Sequence, residues 1–169
     1  MKRQNNRTVY LVQAGLIAAL YAALTYFLAP LSFGAQQIRI SEALTVLPVL
    51  TPAAVPGLAV GCIIANISSP YGLADIICGT AATLLAALLT RAVRNIRFKN
   101  LPLLSLLFPV ILNGIIIGFE ITWFLPENAS AGGFLLSCGG VALGEAISCY
   151  IIGLPLFAAL NKTKIFETR

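Results

Sequence analysis

The sequence predicts an all-α integral membrane protein with six transmembrane helices, the second and third of them short, and with both termini cytoplasmic. Three observations predict it. The chain of 169 residues is 59% hydrophobic and only 10% charged, far from the balance of a soluble domain. Its apolar residues run in stretches long enough to cross a hydrocarbon core of about 30 Å. Its basic residues fall in three patches between those stretches: Lys2, Arg3 and Arg7, then Arg91, Arg94, Arg97 and Lys99, then Lys162, Lys164 and Arg169. Such patches are the usual cytoplasmic anchors. They account for the net charge of +5 without a nucleic-acid partner. A single transmembrane domain, residues 1–169, takes up the whole chain.

Four spans are evident, at about 9–30, 72–91, 101–125 and 132–160. The first, "VYLVQAGLIAALYAALTYFLAPL", exceeds a typical signal-peptide core and is read as retained. Residues 43–67 form either one span or two short helices broken at "TPAAVPG", where Pro52 and Pro56 oppose a continuous helix. Charge decides between them. A single span would carry the Arg91–Lys99 patch to the outside, whereas a hairpin returns all three basic patches to the cytoplasmic side. The two halves are short for full spans, which implies tilt, mismatch or partial re-entry.

This topology puts the polar run "QQIRISE" in the outer loop between the first two spans, with Gln37, Arg39 and Glu42 among its side chains. Asn66, Ser68, Ser69, Tyr71 and Asp75 surround the next outer turn. Glu120 and Trp123 fall near the outer end of the fifth span, while Asn113 and Glu145 sit deeper. Of six acidic residues, only Glu167 is clearly cytoplasmic. A carboxylate deep in a bilayer is costly and faces a cavity or a partner rather than lipid, so this distribution points to a polar pocket open to the outside. Simpler roles compete at several positions. Arg39 and Glu42 have the spacing of a local pair, with Ser41 as a helix cap. Asp75 suits a helix start, Trp123 suits an interfacial anchor, and Glu127 and Asn128 suit a solvated loop.

In the first span, Ala14, Ala18 and Ala22 recur every fourth residue, with Ala19 and Ala23 beside them. Gly57–Gly61, Gly114–Gly118 and Gly140–Gly144 repeat the spacing elsewhere. Small residues on one face allow close helix approach. For the glycines, packing within the chain is the preferred reading, whereas the alanine face could receive another protein. Cys62, Cys78, Cys138 and Cys149 lie in or beside apolar segments without a CxxC pair, and the chain has no histidine. They read as apolar filler, with no metal site and no cofactor. The sequence contains no phosphate-binding loop and no nucleophile with a base, which argues against an enzyme. Uphill movement of a solute would need a partner or an ion gradient.

The stretches "AGLIAALYAALTY", "QQIRISEALTVLPVL" and "PAAVPGLAVGCIIANISSPYGLADIICGTAATLLAALLT", with the basic loop and the late "GEAI", carry a resemblance over nearly the whole chain. It resembles the substrate-binding S components of energy-coupling factor (ECF) transporters, and among them the QueT-type family tied to uptake of queuosine precursors. The resemblance implies a multi-pass subunit of the bacterial cytoplasmic membrane that captures its solute from outside with high affinity. It implies docking through an alanine-rich face, here Ala14, Ala18 and Ala22, to the transmembrane coupling protein EcfT with its two ECF ATPase subunits. The loop holding "QQIRISE" would act as a lid. The expected solute is a 7-deazaguanine, aminomethyl- or cyano-substituted (preQ1 or preQ0).

The residues suit such a ligand. A carboxylate accepts the adjacent N–H groups of a guanine-like edge, and Glu120 and Glu145 are the first choices, with Asp75 and Glu42 next. Asn66, Asn113, Gln37 or Arg39 would donate to its carbonyl, and Tyr71 or Trp123 would stack on its ring. Rival readings are an S component for another vitamin or nucleobase, an autonomous cation-coupled carrier using Glu120 and Glu145, and, last, a small membrane enzyme.

Overall fold

The computed structural model describes residues 2–33, 38–124 and 129–163, with side chains from residue 7 onward. The elements are α1 (Lys2–Phe27), α2 (Ala29–Ser32), a 3-10 helix (Ile40–Val49), α3 (Ala54–Asn66), α4 (Leu73–Ala92), α5 (Leu107–Phe124), α6 (Ala131–Ala146), a π-helical stretch (Ile147–Gly153) and α7 (Leu154–Thr163). Four helical segments are long and apolar enough to cross a membrane: Arg7–Phe27, Leu73–Ala92, Leu107–Phe124 and Ala131–Thr163. The last of these runs unbroken from α6 through the π-helical stretch into α7. Ile40–Val49 and Ala54–Asn66 are shorter apolar helices.

The break expected at "TPAAVPG" separates those two. The first ends at Val49 and the next starts at Ala54, with Pro52 between them. Thr51 closes the corner by donating to Gln13 Oε1 of α1 at 2.9 Å and accepting from the Ala53 N–H at 3.3 Å. A 3-10 run of ten residues is unusually long. Every residue from Ser41 to Val49 is buried, so surrounding helices rather than intrinsic preference hold it narrow.

The fifth span departs from expectation at its start. Residues 101–106 turn instead of coiling, and α5 begins at Leu107. Lys99 and Asn100 adopt left-handed φ angles of 48° and 65°, and Phe98 and Leu101 exchange backbone hydrogen bonds of 2.9 Å. Pro102 lacks the N–H that a helix would need. Thr90 Oγ1 then donates to the Ser105 carbonyl at 2.9 Å, anchoring the turn to α4.

Glycines set the closest helix approaches. A Cβ on Gly57 would lie 2.8 Å from the Ala14 carbonyl oxygen, and one on Gly61 would lie 2.9 Å from that of Ala18, so α1 and α3 touch along their backbones. Gly114 meets Ala142, and Gly118 meets the Cys138 backbone, which fixes the antiparallel register of α5 and α6. Two of the three glycine pairs therefore pack within the chain as expected. Gly140 of the third faces open space. Inside lie Tyr21, Leu44, Val46, Leu58, Leu106 and Phe157, while Leu11, Leu16, Leu73, Leu136 and Ile151 are exposed, an apolar exterior of the kind lipid covers.

These contacts rank the glycines. Gly118→Ala would put a methyl 2.7 Å from Cys138 Cα and should cost about 1–3 kcal/mol. Gly15→Ala, with nothing within 4 Å, should gain up to about 1 kcal/mol of helix propensity. Unfolding midpoints of the detergent-solubilised protein check the opposite signs.

Candidate functional site

The polar side chains gather in two layers, one at the start of α4 and one near its middle. The upper layer is built around Asp75 in the first turn of α4. Gly72, at a left-handed φ of 62°, turns the chain into that helix. Arg39 Nη2 donates to Asp75 Oδ1 at 2.9 Å and to Oδ2 at 3.0 Å, and the guanidinium carbon stands 5.6 Å from the Phe33 ring centroid. Asn66, the last residue of α3, donates Nδ2 to the Asp75 backbone carbonyl at 2.7 Å. The three side chains meet over Gly79, where a Cβ would lie 2.5 Å from Asn66 Nδ2 and 3.2 Å from Asp75 Oδ1. Only glycine leaves room for them.

The lower layer is built around Glu42 in the 3-10 helix. Tyr21 of α1 donates its hydroxyl to Glu42 Oε1, and Thr83 of α4 donates to the same oxygen at 3.1 Å. Thr45 caps the Glu42 carbonyl at 2.6 Å. The Cys149 thiol lies 3.7 Å from that carbonyl and 4.0 Å from Glu145 Oε2, so Glu42 and Glu145 flank one cysteine. The Gly114–Ala142 contact puts Glu145 level with Ile111, about 3 Å along the neighbouring helix from Asn113.

Seven of the expected site residues, Arg39, Glu42, Asn66, Asp75, Asn113, Glu120 and Glu145, are between 0% and 3% exposed. Arg39 pairs with Asp75 and not with Glu42 at helical spacing, because the chain before the 3-10 helix is extended at Arg39. Tyr71 is partly buried and edges against Phe124 at 6.3 Å. Trp123 is 73% exposed and stacks on Phe119 at 6.2 Å, so it stands at the rim and not in the buried cluster. Gln37, Glu127 and Asn128 lie outside the described residues.

The alanine stripe is also placed differently from expectation. Ala18 and Ala22 are buried, and Ala14 and Ala18 meet α3 at Gly57 and Gly61. The exposed flank of α1 carries Leu11, Val12 and Leu16 together with Gly15, Ala19 and Leu20. Tyr21 and Thr83, which bond Glu42 in this buried cluster, are candidates that sequence reasoning missed. One tyrosine and one threonine in apolar helices carry no signal of their own.

Several buried polar atoms have no protein partner: Glu42 Oε2, Asn66 Oδ1 and both carboxylate oxygens of Glu120 as acceptors, and Arg39 Nε and Asn113 Nδ2 as donors. Four buried carboxylates face one buried guanidinium among the described residues. Orphaned polar groups in a low-dielectric interior are costly, and a ligand rich in N–H donors and carrying positive charge would satisfy them. Among the described residues, no three metal-ligating side chains come together.

A protein-family model described as QueT transporter matches residues 11–162. No curated protein and no solved structure matches the chain.

The Arg39–Asp75 pair makes a direct prediction. Arg39→Met leaves Asp75 charged, buried and unpaired and should cost about 3–5 kcal/mol. Adding Asp75→Asn should recover most of that loss. A double-mutant cycle on thermal unfolding measures the coupling.

Proposed function

The chain belongs to the QueT transporter family, and on that premise we propose that it captures a 7-deazaguanine precursor of queuosine as the S component of an ATP-driven ECF importer. The observation that carries this reading is the surplus of orphaned acceptors, Glu42 Oε2 and both oxygens of Glu120, inside an apolar bundle, with the orphaned Asn113 Nδ2 donor about 10 Å from Glu120 along α5. A deazaguanine presents adjacent N–H groups for a carboxylate and a carbonyl for an amide donor. An anionic vitamin would add charge to a site already dominated by carboxylates.

In this reading the bundle has six spans with both ends cytoplasmic, and the cluster opens outward. Segregation of charge supports it. Asp75 stands in the first turn of α4 and Glu42 bonds Thr83 near its middle, whereas Arg91 stands in its last turn, about 24 Å from Asp75 at 1.5 Å per residue, with Arg94, Arg97 and Lys99 beyond it. The coupling protein EcfT and its two ATPase subunits would dock on the exposed flank of α1 around Gly15 and Ala19, since the neighbouring stripe is occupied by α3.

Isothermal titration of the purified chain with aminomethyl- and cyano-7-deazaguanine tests the solute, with guanine, riboflavin and thiamine as controls. A precursor should bind at nanomolar concentration, and Glu145→Gln should weaken it by about 10–100-fold. Tight binding of a control vitamin alone would move the chain to a different S-component specificity. Uptake by vesicles lacking every ATPase subunit would overturn the ECF assignment in favour of a cation-coupled carrier.

A further inference from the structure

The loop between α4 and α5 concentrates charge that the polar cluster does not use. Arg91, Arg94, Arg97 and Lys99 fall within nine residues, and no residue from 76 to 119 is acidic. Among the described residues the only ion pair is Arg39–Asp75, so all four cations stand without a carboxylate. Ile96 and Phe98 are interleaved with them and are 55% and 64% exposed. We propose that this loop is a binding site for the phosphate headgroup of an anionic lipid, with Arg94, Arg97 and Lys99 as donors and Ile96 and Phe98 as apolar anchors. The proposal holds whichever solute the bundle carries.

Basic residues that merely set topology need no fixed arrangement. Here the backbone and the side chains are both held. The Ile96 N–H donates to the Val93 carbonyl at 2.9 Å to close one turn, and Phe98 and Leu101 close the next by exchanging two bonds. Lys99 and Asn100 take left-handed φ angles inside that second turn, and Lys99 Nζ lies 5.8 Å from the Phe98 ring centroid. Arg94 Nη1 donates to the Arg91 carbonyl at 3.1 Å, and Arg97 Nε donates to the Arg94 carbonyl at 3.4 Å. The Arg97 guanidinium carbon also stands 5.4 Å from the centroid of the buried Phe157 ring. These bonds cap the end of α4, yet each takes a single N–H from a guanidinium that carries five. The other N–H groups have no acceptor among the described residues, and their planar fork suits phosphate oxygens.

Position and composition favour a lipid over a soluble anion or an acidic protein. The loop begins where the apolar α4 ends, at the depth where acyl chains meet headgroups. A free phosphate would be served by the cations alone and would leave Ile96 and Phe98 in water. An acidic protein surface would set those two side chains against charge. At a headgroup, the apolar side chains enter the acyl boundary while their basic neighbours meet phosphate. Arg91 has a different part. It is half-buried and donates Nη1 to the Pro48 carbonyl at 3.0 Å, which fastens the loop to the 3-10 helix.

Native mass spectrometry of the full-length chain tests the site, with equimolar phosphatidylglycerol and phosphatidylcholine of one acyl length as probes. A cation near an anionic surface is worth about a fivefold gain in binding, so phosphatidylglycerol should be retained at least about fivefold over phosphatidylcholine. Combining Arg94→Gln, Arg97→Gln and Lys99→Asn should bring the two lipids to parity. If that variant fails to fold, Lys99→Asn alone suits the left-handed φ of 48° and should lower the preference about two- to fivefold. Arg7→Gln removes one charge from α1 and should leave the preference within about twofold. Equal retention of both lipids by the unaltered protein would overturn the site. The same loss in Arg7→Gln as in Lys99→Asn would overturn it too, in favour of diffuse charge.

Phe98→Ser keeps every charge and should weaken phosphatidylglycerol about 2–10-fold. Inorganic phosphate separates the two sources of the anion. Equimolar phosphate should leave phosphatidylglycerol bound, because it lacks the apolar contact. Displacement by phosphate, or no loss in Phe98→Ser, would overturn the lipid assignment.

Discussion

The polar end of this bundle depends on keeping the Asp75 carboxylate neutralised where water does not reach. The start of a helix favours a carboxylate through the helix dipole, but only weakly against the cost of full burial. Arg39 supplies the rest by folding over the bundle from the segment between α2 and the 3-10 helix. The consequences spread outward from that contact. Position 79 must be glycine-sized, Asn66 must end α3 beside the first turn of α4, and the 3-10 helix must enter the core directly after Arg39, which brings Glu42 against Tyr21 and Thr83.

The bundle is apolar outside and holds a polar cluster within an otherwise apolar interior, unlike a water-soluble domain. Helix contacts are then made by small residues instead of a hydrophobic core alone, as between α1 and α3 and between α5 and α6. What the glycines contribute is proximity, and proximity brings polar groups from several elements within reach of one small ligand. The orphaned acceptors are a burden on stability and, in the function proposed, the basis of selectivity, a pattern found where stability is given up for function.

Much of this is legible in the sequence because membranes make few demands and strict ones. Length, proline breaks and basic patches lead to the long helices and to the division at Thr51–Ala53. Carboxylates inside apolar stretches mark the cluster, since lipid leaves them few other places. Helix rotation is far less legible. Ala14, Ala18 and Ala22 stand one residue from Gly15, Ala19 and Ala23, a turn of about 100°, and spacing alone cannot say which stripe faces inward. Tyr21 and Thr83 become visible only once Glu42 is placed between them. Trp123 does lie near Glu120 along α5, but its side chain projects outward at the rim.

The π-helical stretch Ile147–Gly153 has no counterpart in the sequence reading, and Pro155 is its physical companion. A proline in a continuing helix cannot donate to the turn before it and crowds that turn's carbonyl, and a widened turn relieves both. Its effect on facing is larger than its size. Glu145 and Phe157 are twelve residues apart, which in regular α-helix would leave them about 120° out of alignment. Both are nonetheless buried, because the wide turn absorbs one residue without advancing the rotation. Residue number in this helix has thus come loose from residue orientation. A chain one residue shorter within Ile147–Gly153 could close up into ordinary α-helix and keep both faces inward, whereas the same deletion in α4 or α5 would rotate half a helix toward the lipid.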